Sequence, residues 1–376
     1  MLSRIRAAMY IALASFALVM TVGSIELNGG KFGYDFYGDL YTAAQAILRG
    51  ANPYEMHRLQ AETAILRGGG TFGYNASPRY PPPLMLAVVP LSLLPFKVAA
   101  ALFMALSLAA VPIAMWLLGV RDWRCIALAT ASMPAVFGSW IGNVSTLLLL
   151  GAAVVWKLRS RVNLMPVAAA VVLAAKLLLW PLGAWMLVTR RYRQLVPAVA
   201  FAIAGTLATW AVLGFAGLTA YPKLLSDVAY IGELRSSSLI TALLDAGLST
   251  FAARAIALVL TGALAGVAWR LARGPQGDER AFGLMVVTAL IASPVDWVHS
   301  FVLLFVPIAL LSPRLSVIWF LPALVSYSPI VDSGFELIVI GYICAPLVAE
   351  RFNVAGASAA LTRRIHGDVR LPVSHR

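Results

Sequence analysis

Residues 167–188 read VAAAVVLAAKLLLWPLGAWMLV, a run of 22 residues in which Lys176 is the only charge. As one α-helix it would be about 33 Å long, enough for the roughly 30 Å hydrocarbon core of a bilayer. Apolar runs of about 12 to 25 residues recur from residue 7 to residue 349, about ten to twelve in all. The composition agrees, with 61% hydrophobic and 12% charged residues and a mean hydropathy of +0.84. Soluble chains carry roughly 25% charged residues. A soluble enzyme on a single anchor is excluded, because the apolar residues are spread along the chain. The expected fold is all-α, a polytopic transmembrane helical bundle. Residues 1–350 form its one domain and 351–376 a loose cytoplasmic tail.

The net charge of +13 comes from 29 Lys+Arg against 16 Asp+Glu. The basic residues do not form one stripe, so nucleic acid is not an expected partner. They sit in short clusters between apolar runs: Arg4 and Arg6; Lys157, Arg159 and Arg161; Arg190, Arg191 and Arg193; Arg270 and Arg273; Arg363 and Arg364. Cytoplasmic loops retain Lys and Arg in this way. Arg363 and Arg364 are read as topogenic or solvating, with contact to anionic membrane lipid as the second option. Cys125 and Cys344 lie at or inside apolar runs, which argues against a disulfide framework or a thiolate metal site. The run from 7 to 25 follows a short basic segment but lacks a small-x-small cleavage site, and is read as a retained first helix.

Two polar stretches, 27–80 and 218–250, are too long for tight turns, and both are expected to be ordered. The first holds five basic and four acidic residues, lacks the basic surplus, and is placed outward. Residues 55–67 read as a short amphipathic piece and 68–70 as a glycine-rich joint. Counting back from the basic tail puts 218–250 and 293–300 on the same outer face. Between 84 and 188 the five apolar runs must supply an odd number of crossings. Segment count favours five. Three would place Lys157, Arg159 and Arg161 inside and Asn143 outside, but requires short or re-entrant segments.

A charge at bilayer depth costs roughly 2.5–3.5 kcal/mol on insertion scales, so Lys176 calls for a function, an ion pair or a helix break. Asp296 and His299 lie three apart after Ser293-Pro294; on a helix beginning near Pro294 they would share a face and pair. Asp35 and Asp39 lie four apart among Phe32, Tyr34, Phe36, Tyr37 and Tyr41; they suit either a general base or an ordinary capped loop. Tyr80-Pro81-Pro82-Pro83 reads as a rigid, extended approach to the next apolar segment. The sequence has no Walker A loop, no G-x-G-x-x-G after a strand, no HExxH, no G-x-S-x-G and no metal-spaced His/Cys set, which removes the corresponding soluble enzyme classes.

Taken together, certain motifs resemble glycosyltransferase family 87. They are Asp35-Phe36, Tyr41-x-Ala43-Ala44 to Gly50-x-x-Pro53-Tyr54, Tyr80-Pro81-Pro82, Gly142-Asn143, Lys176 ahead of Trp180-Pro181, Thr189-Arg190-Arg191, and Ser293-Pro294-x-x-Trp297-x-His299. The resemblance covers about 30 to 325. It implies a GT-C-type membrane transferase taking a sugar, often mannose, from a polyprenyl-phosphate donor to a lipid or glycan acceptor hydroxyl with inversion. The expected location is a bacterial inner membrane, with the site on the outward side that the loop charges indicate. Asp35 is then the expected base, with Asp39 as the alternative. His299 joins it at the reacting centre, while Lys176, Asn143, Tyr80, Ser293 and Trp297 bind donor or acceptor. No cofactor is implied, and a divalent metal is not required, since side chains can neutralise a lipid monophosphate. The rival readings are a transporter or flippase of lipid-linked sugar, and a non-catalytic assembly partner. Transporters often show paired halves with matching broken helices, and no internal repeat is visible here.

Overall fold

The computed structural model describes residues 2–27, 29–54, 78–233, 236–324 and 333–348, and the regular structure among them is helical. The 55–67 piece, the 68–70 joint and the 351–376 tail lie outside the described residues. In chain order come α1 (Leu2–Leu27), a π-helical turn (Phe36–Tyr41), α2 (Thr42–Leu48), α3 (Pro82–Ser92) and α4 (Phe96–Leu117). Then follow α5 (Trp123–Thr130), α6 (Met133–Ile141), α7 (Ser145–Lys157), α8 (Leu164–Ala175), α9 (Pro181–Val188) and α10 (Tyr192–Val212). The polar stretch 218–250 contains α11 (Tyr221–Glu233) and α12 (Leu239–Asp245), and leads to α13 (Thr250–Leu271) and α14 (Gly277–Ala292). A 3-10 helix (Val298–Leu304), α15 (Phe305–Leu311), α16 (Leu321–Leu324) and α17 (Ser333–Val348) complete the described chain.

Among the described residues α4, α10 and α13 are each long and apolar enough to cross a bilayer. The α5–α6 pair qualifies as one span bent by 45°. Pro134 sits in the first turn of α6, where a missing N–H costs nothing. The Thr21 hydroxyl donates to the Ala131 carbonyl at the bend, 3.3 Å away. The outer faces of α10 and α13 leave Val196, Phe201, Leu258 and Val259 exposed, as lipid-facing helices do. α14 is the opposite case. Every residue from Ala281 to Ile291 is buried, and Thr288 satisfies its hydroxyl on the Leu284 carbonyl. It is the central strut. The chain is a polytopic helical membrane protein.

Hydrogen bonds at the helix ends settle how often the chain traverses the bundle before Arg191. α3 stays at one end, because its Ser92 carbonyl accepts from Gln45 and the Leu94 carbonyl accepts from Tyr41. α4 leaves that end, α5–α6 returns to it at Asn143, and α7 leaves again. At the far end the Arg159 carbonyl accepts from both Arg191 and Gln194, so the segments flanking α7, α8, α9 and α10 meet there. α8 climbs back to Lys176 and α9 descends, forming a re-entrant pair. Three traverses therefore replace the five that segment count favoured. Chain direction reverses at Lys176, within one apolar run, which realises the helix break that the sequence left open.

Helix length sets the depth of that reversal. α8 has 12 residues, about 18 Å, whereas α10 has 21, about 32 Å. α8 thus ends roughly 14 Å short of the length of α10, and directly after it comes Lys176. It is the extended residue between the two helices, with φ −158° and ψ 127°.

Candidate active site

The recessed end is built on the π-helical turn. Gly33, at φ +67°, donates its N–H to the Trp140 carbonyl (2.8 Å) and accepts from the Tyr37 N–H (2.8 Å). A Cβ at Gly33 would come within 2.9 Å of the Phe96 ring. Gly142, also left-handed, lies under Phe36, whose Cβ a side chain there would strike. These two glycines let the turn dock on the end of α6. The rings of Phe36 and Phe103 stack at 4.7 Å and Tyr37 meets Phe96 edge-on at 4.9 Å, which fixes the turn from its apolar side. With bonds from residue i to i+5, four residues make nearly one turn, so Asp35 and Asp39 emerge on one face. The sequence expectation of a shared face holds, although the helix is not an α-helix.

Both carboxylates are deeply buried, at 7% and 2% exposure, and they face one guanidinium. Arg79 donates Nε to Asp39 Oδ1 at 2.9 Å and Nη2 to Asp39 Oδ2 at 2.7 Å. Its contact with Asp35 Oδ1 is long, 3.5 Å. Asp35 is held instead through its other oxygen, which accepts from Asn143 Nδ2 at 2.7 Å. The Asn143 amide cannot flip, because its Oδ1 accepts from the Ser145 N–H (3.0 Å) and hydroxyl (2.8 Å). Burial, opposed by Arg79 and reinforced by the charge of Asp35, pushes the Asp39 carboxyl up to about 6. Asp39 drives Arg79 further above its ordinary value, so the guanidinium is permanently charged. Burial, with both carboxylates, holds the Tyr80 phenol well above its usual range, and it stays protonated.

Tyr80 links this cluster to Lys176, whose ammonium lies 5.7 Å from the ring centroid. It also receives a long contact from Asn143 Nδ2 at 3.4 Å. The extended approach ends at Pro81, with φ −72° and ψ 161°. Pro82 already begins α3, where a first-turn proline suits a helix, so only part of the triple proline is non-helical. A lid of aromatic residues closes over the backbone. Tyr54 donates its hydroxyl to the Tyr80 carbonyl (3.0 Å), and Tyr221 donates to that of Arg79 (3.2 Å). Tyr54 stacks on Trp210 from α10 at 5.1 Å.

Asp296 and His299 do reach the site, but not as a pair on one helix. Residues 293–297 are not helical, with a bend at Pro294, and the 3-10 helix begins only at Val298. Ser293 closes a local turn, its hydroxyl donating to the Val295 carbonyl (2.8 Å) and accepting from the Val295 N–H (3.3 Å). The Asp296 carbonyl is drawn to the Ser237 N–H at 2.6 Å. These bonds stop a helix from starting at Pro294. Asp296 is 1% exposed and is the acidic group with the strongest electrostatic influence on Lys176. His299 packs against α6, where a Cβ on Gly138 would lie 2.8 Å from the His299 Cβ. Its Nδ1 is buried without a hydrogen-bond partner among the described residues. Trp297, half-buried, precedes the 3-10 helix, and its carbonyl accepts from the Ser300 N–H (2.7 Å). Ser293 and Trp297 thus shape the loop that delivers Asp296 and His299.

Seven groups converge: Asp35, Asp39, Arg79, Tyr80, Asn143, Lys176 and His299, with Asp296 behind Lys176. Sequence reasoning missed Arg79, which counted only toward loop charge. Its signal was its place directly before Tyr80-Pro81-Pro82-Pro83. Tyr54 and Tyr221 as backbone clamps, and Asp296 as a companion of Lys176, were not legible either.

Comparison with known proteins bears on this cluster. The family model described as Glycosyltransferase family 87 matches residues 79–294, more than half of the chain. The matched stretch takes in Arg79, Tyr80, Asn143 and Lys176, while Asp35, Asp39, Asp296 and His299 fall outside it. A protein of Mycolicibacterium smegmatis, named polyprenol-phosphate-mannose-dependent alpha-(1-2)-phosphatidylinositol pentamannoside mannosyltransferase, is 28% identical over 249 residues. The alignment covers 59% of this chain, and the chain spans 58% of the length of that relative. No solved structure matches.

Proposed function

The chain belongs to glycosyltransferase family 87, and from that premise we propose that it is a membrane hexosyltransferase using a polyprenyl-phosphate sugar. The donor sugar is mannose, as the relative's name supports, and the acceptor is a lipid or glycan hydroxyl. The observation that carries the reading is the unequal treatment of the two carboxylates. Arg79 occupies both oxygens of Asp39, which makes Asp39 the buried counter-ion. Asp35 is anchored by Oδ2 alone, leaving Oδ1 with only the 3.5 Å contact and available to an incoming hydroxyl.

In the reaction Asp35 Oδ1 takes the acceptor proton as the acceptor oxygen attacks the anomeric carbon. The bond from that carbon to the phosphate oxygen breaks on the opposite face, giving inversion. Charge developing on the departing lipid phosphate is stabilised by Lys176 and by the free edge of Arg79, with no divalent metal needed. Tyr80 and His299 orient sugar and phosphate by hydrogen bonds. Leu177 and Trp180, which are exposed beside Lys176, offer a lateral apolar approach for the isoprenoid. The site faces outward from a bacterial inner membrane, on the side away from the basic clusters.

The test is transfer of label from radiolabelled polyprenyl-phosphate mannose to a membrane lipid extract by the detergent-purified protein. Wild type is expected to transfer, and Asp35→Asn to lose the activity while unfolding at the wild-type temperature. Full activity in Asp35→Asn would move the base elsewhere. Movement of carrier across liposomes without transfer by wild type would replace the transferase reading with transport.

A further inference from the structure

At the end opposite the carboxylates, the segments between α7 and α8 and between α9 and α10 frame an open cavity of about 350 Å³. Arg159, Arg190, Arg191 and Arg193 line it, with Tyr192 and Gln194. One carboxylate, Asp278 at the start of α14, serves this group. It accepts from Arg191 Nη2 at 2.7 Å and lies 3.5 Å from Arg159 Nε, while its other oxygen accepts from Trp185 Nε1 at 3.0 Å. Arg159 lies over the Trp156 ring at 3.8 Å and Arg191 over the Trp185 ring at 5.0 Å. The back wall is therefore fixed. The side chains of Arg190 and Arg193 are exposed and make no hydrogen bond or ion pair among the described residues.

We propose that this cavity binds the phosphate headgroup of an anionic phospholipid from the membrane leaflet at that end. Two free arginines beside two fixed ones give a surplus of planar donors suited to phosphate oxygens. The apolar surface next to the cavity selects a lipid over free phosphate. Leu164, Val167 and Val171 on α8 and Val196 on α10 are exposed below it and form a track for acyl chains. A zwitterionic headgroup would bring its own cation against the arginines. Retention of positive charge on one side of a membrane explains basic loops in general. It does not require two loops to meet around one cavity with their inner arginines locked on tryptophans.

The test is lipid retention by the full chain in detergent, read by native mass spectrometry and by the unfolding temperature. The probes are dioleoylphosphatidylglycerol, dioleoylphosphatidylcholine and inorganic phosphate. Wild type is expected to favour phosphatidylglycerol by a factor on the order of twenty, at about fivefold for each free arginine. Arg190→Gln combined with Arg193→Gln should bring the preference near parity, and Arg193→Lys should keep part of it. Arg273→Gln removes one charge outside the cavity and should change nothing. Equal retention of both lipids by wild type, or an equal loss in Arg273→Gln, would overturn the proposal. So would inorganic phosphate that reproduces the stabilisation or displaces the lipid, which would assign the cavity to a free anion. Should the double variant fail to fold, Arg193→Lys against wild type decides alone. No readout depends on sugar transfer, so the result stands apart from the proposed reaction.

Discussion

The two ends of the bundle use the same pair of side-chain types in opposite proportion. At the recessed end, two buried carboxylates face one arginine, and the carboxylate left over is Asp35. At the far end, four arginines line the cleft and one carboxylate, Asp278, pairs with two of them, so that the groups left over are Arg190 and Arg193. The ion pair is structural at both ends. What each end can do follows from the unpaired remainder, a proton acceptor in one case and anion-binding donors in the other. The difference in setting matters as well. Asp39 is 2% exposed, whereas Asp278 and its arginines keep 23–34% of their side chains in contact with solvent. Loss of a partner is therefore far more costly at the recessed end.

The largest expected effect tests the remainder directly. Asp35→Asn should lower sugar transfer about 10³-fold, within the range that general bases supply. Asp39→Asn should retain more activity, measured in the same assay. An equal or greater loss in Asp39→Asn would exchange the two roles. Next comes the shared cation. Arg79→Ala should destabilise the protein by about 2–3 kcal/mol, less than for a fully buried pair because Arg79 is about a third exposed. Denaturant or thermal unfolding in detergent measures it, and an Arg79→Ala protein as stable as wild type would show that Asp39 needs no partner.

A pH series sharpens the contrast. Asp39 titrates higher in the folded chain, about 6, than its ordinary 3.8, so the folded state holds this proton more tightly. Its favourable contribution is complete below about pH 4 and lost as pH rises through about 6. Asp122, between α4 and α5, behaves in the reverse sense. Hydrogen bonds from Arg124 lower it to about 2, so its contribution is present above about pH 4 and lost as pH falls toward 2. Unfolding temperature against pH should show the decline between 4 and 6 disappear in Asp39→Asn and persist in Asp122→Asn. The smallest expected effect is at the far end. Asp278→Asn should cost about 1 kcal/mol or less by the same unfolding measurement, since its arginines can turn to water or lipid. A loss as large as that of Arg79→Ala would erase the distinction between the two ends.

The fold class was legible because apolar run length and charge spacing respond to the bilayer, a one-dimensional constraint that sequence records. Lys176 stood out on the same ground, since a lone cation among 22 otherwise uncharged residues needs an explanation wherever it lies. Its actual position was not legible. Whether 167–188 is one helix or a hairpin depends on the partners of Arg159 and Arg191, which are 32 residues apart. Arg79 stayed hidden for a similar reason. Its partners lie 40 and 44 residues earlier, across a polar loop, and its place before Tyr80-Pro81-Pro82-Pro83 does not name them. The expected helical pairing of Asp296 with His299 failed because Ser293 and Ser237 bond the backbone of Val295 and Asp296, which holds the start of that helix back to Val298.

Sequence by itself determined that this chain is a helical membrane protein with long polar segments between its apolar runs, and it named most of the side chains that meet at the candidate site. The tertiary structure decided their stoichiometry. It placed one arginine between two carboxylates, tied one of those carboxylates to Asn143, and lifted Lys176 to their level by breaking a helix. Local pattern fixes which residues a bilayer tolerates. Which of them is left without a full partner depends on contacts between segments far apart in the chain, and no local pattern encodes that.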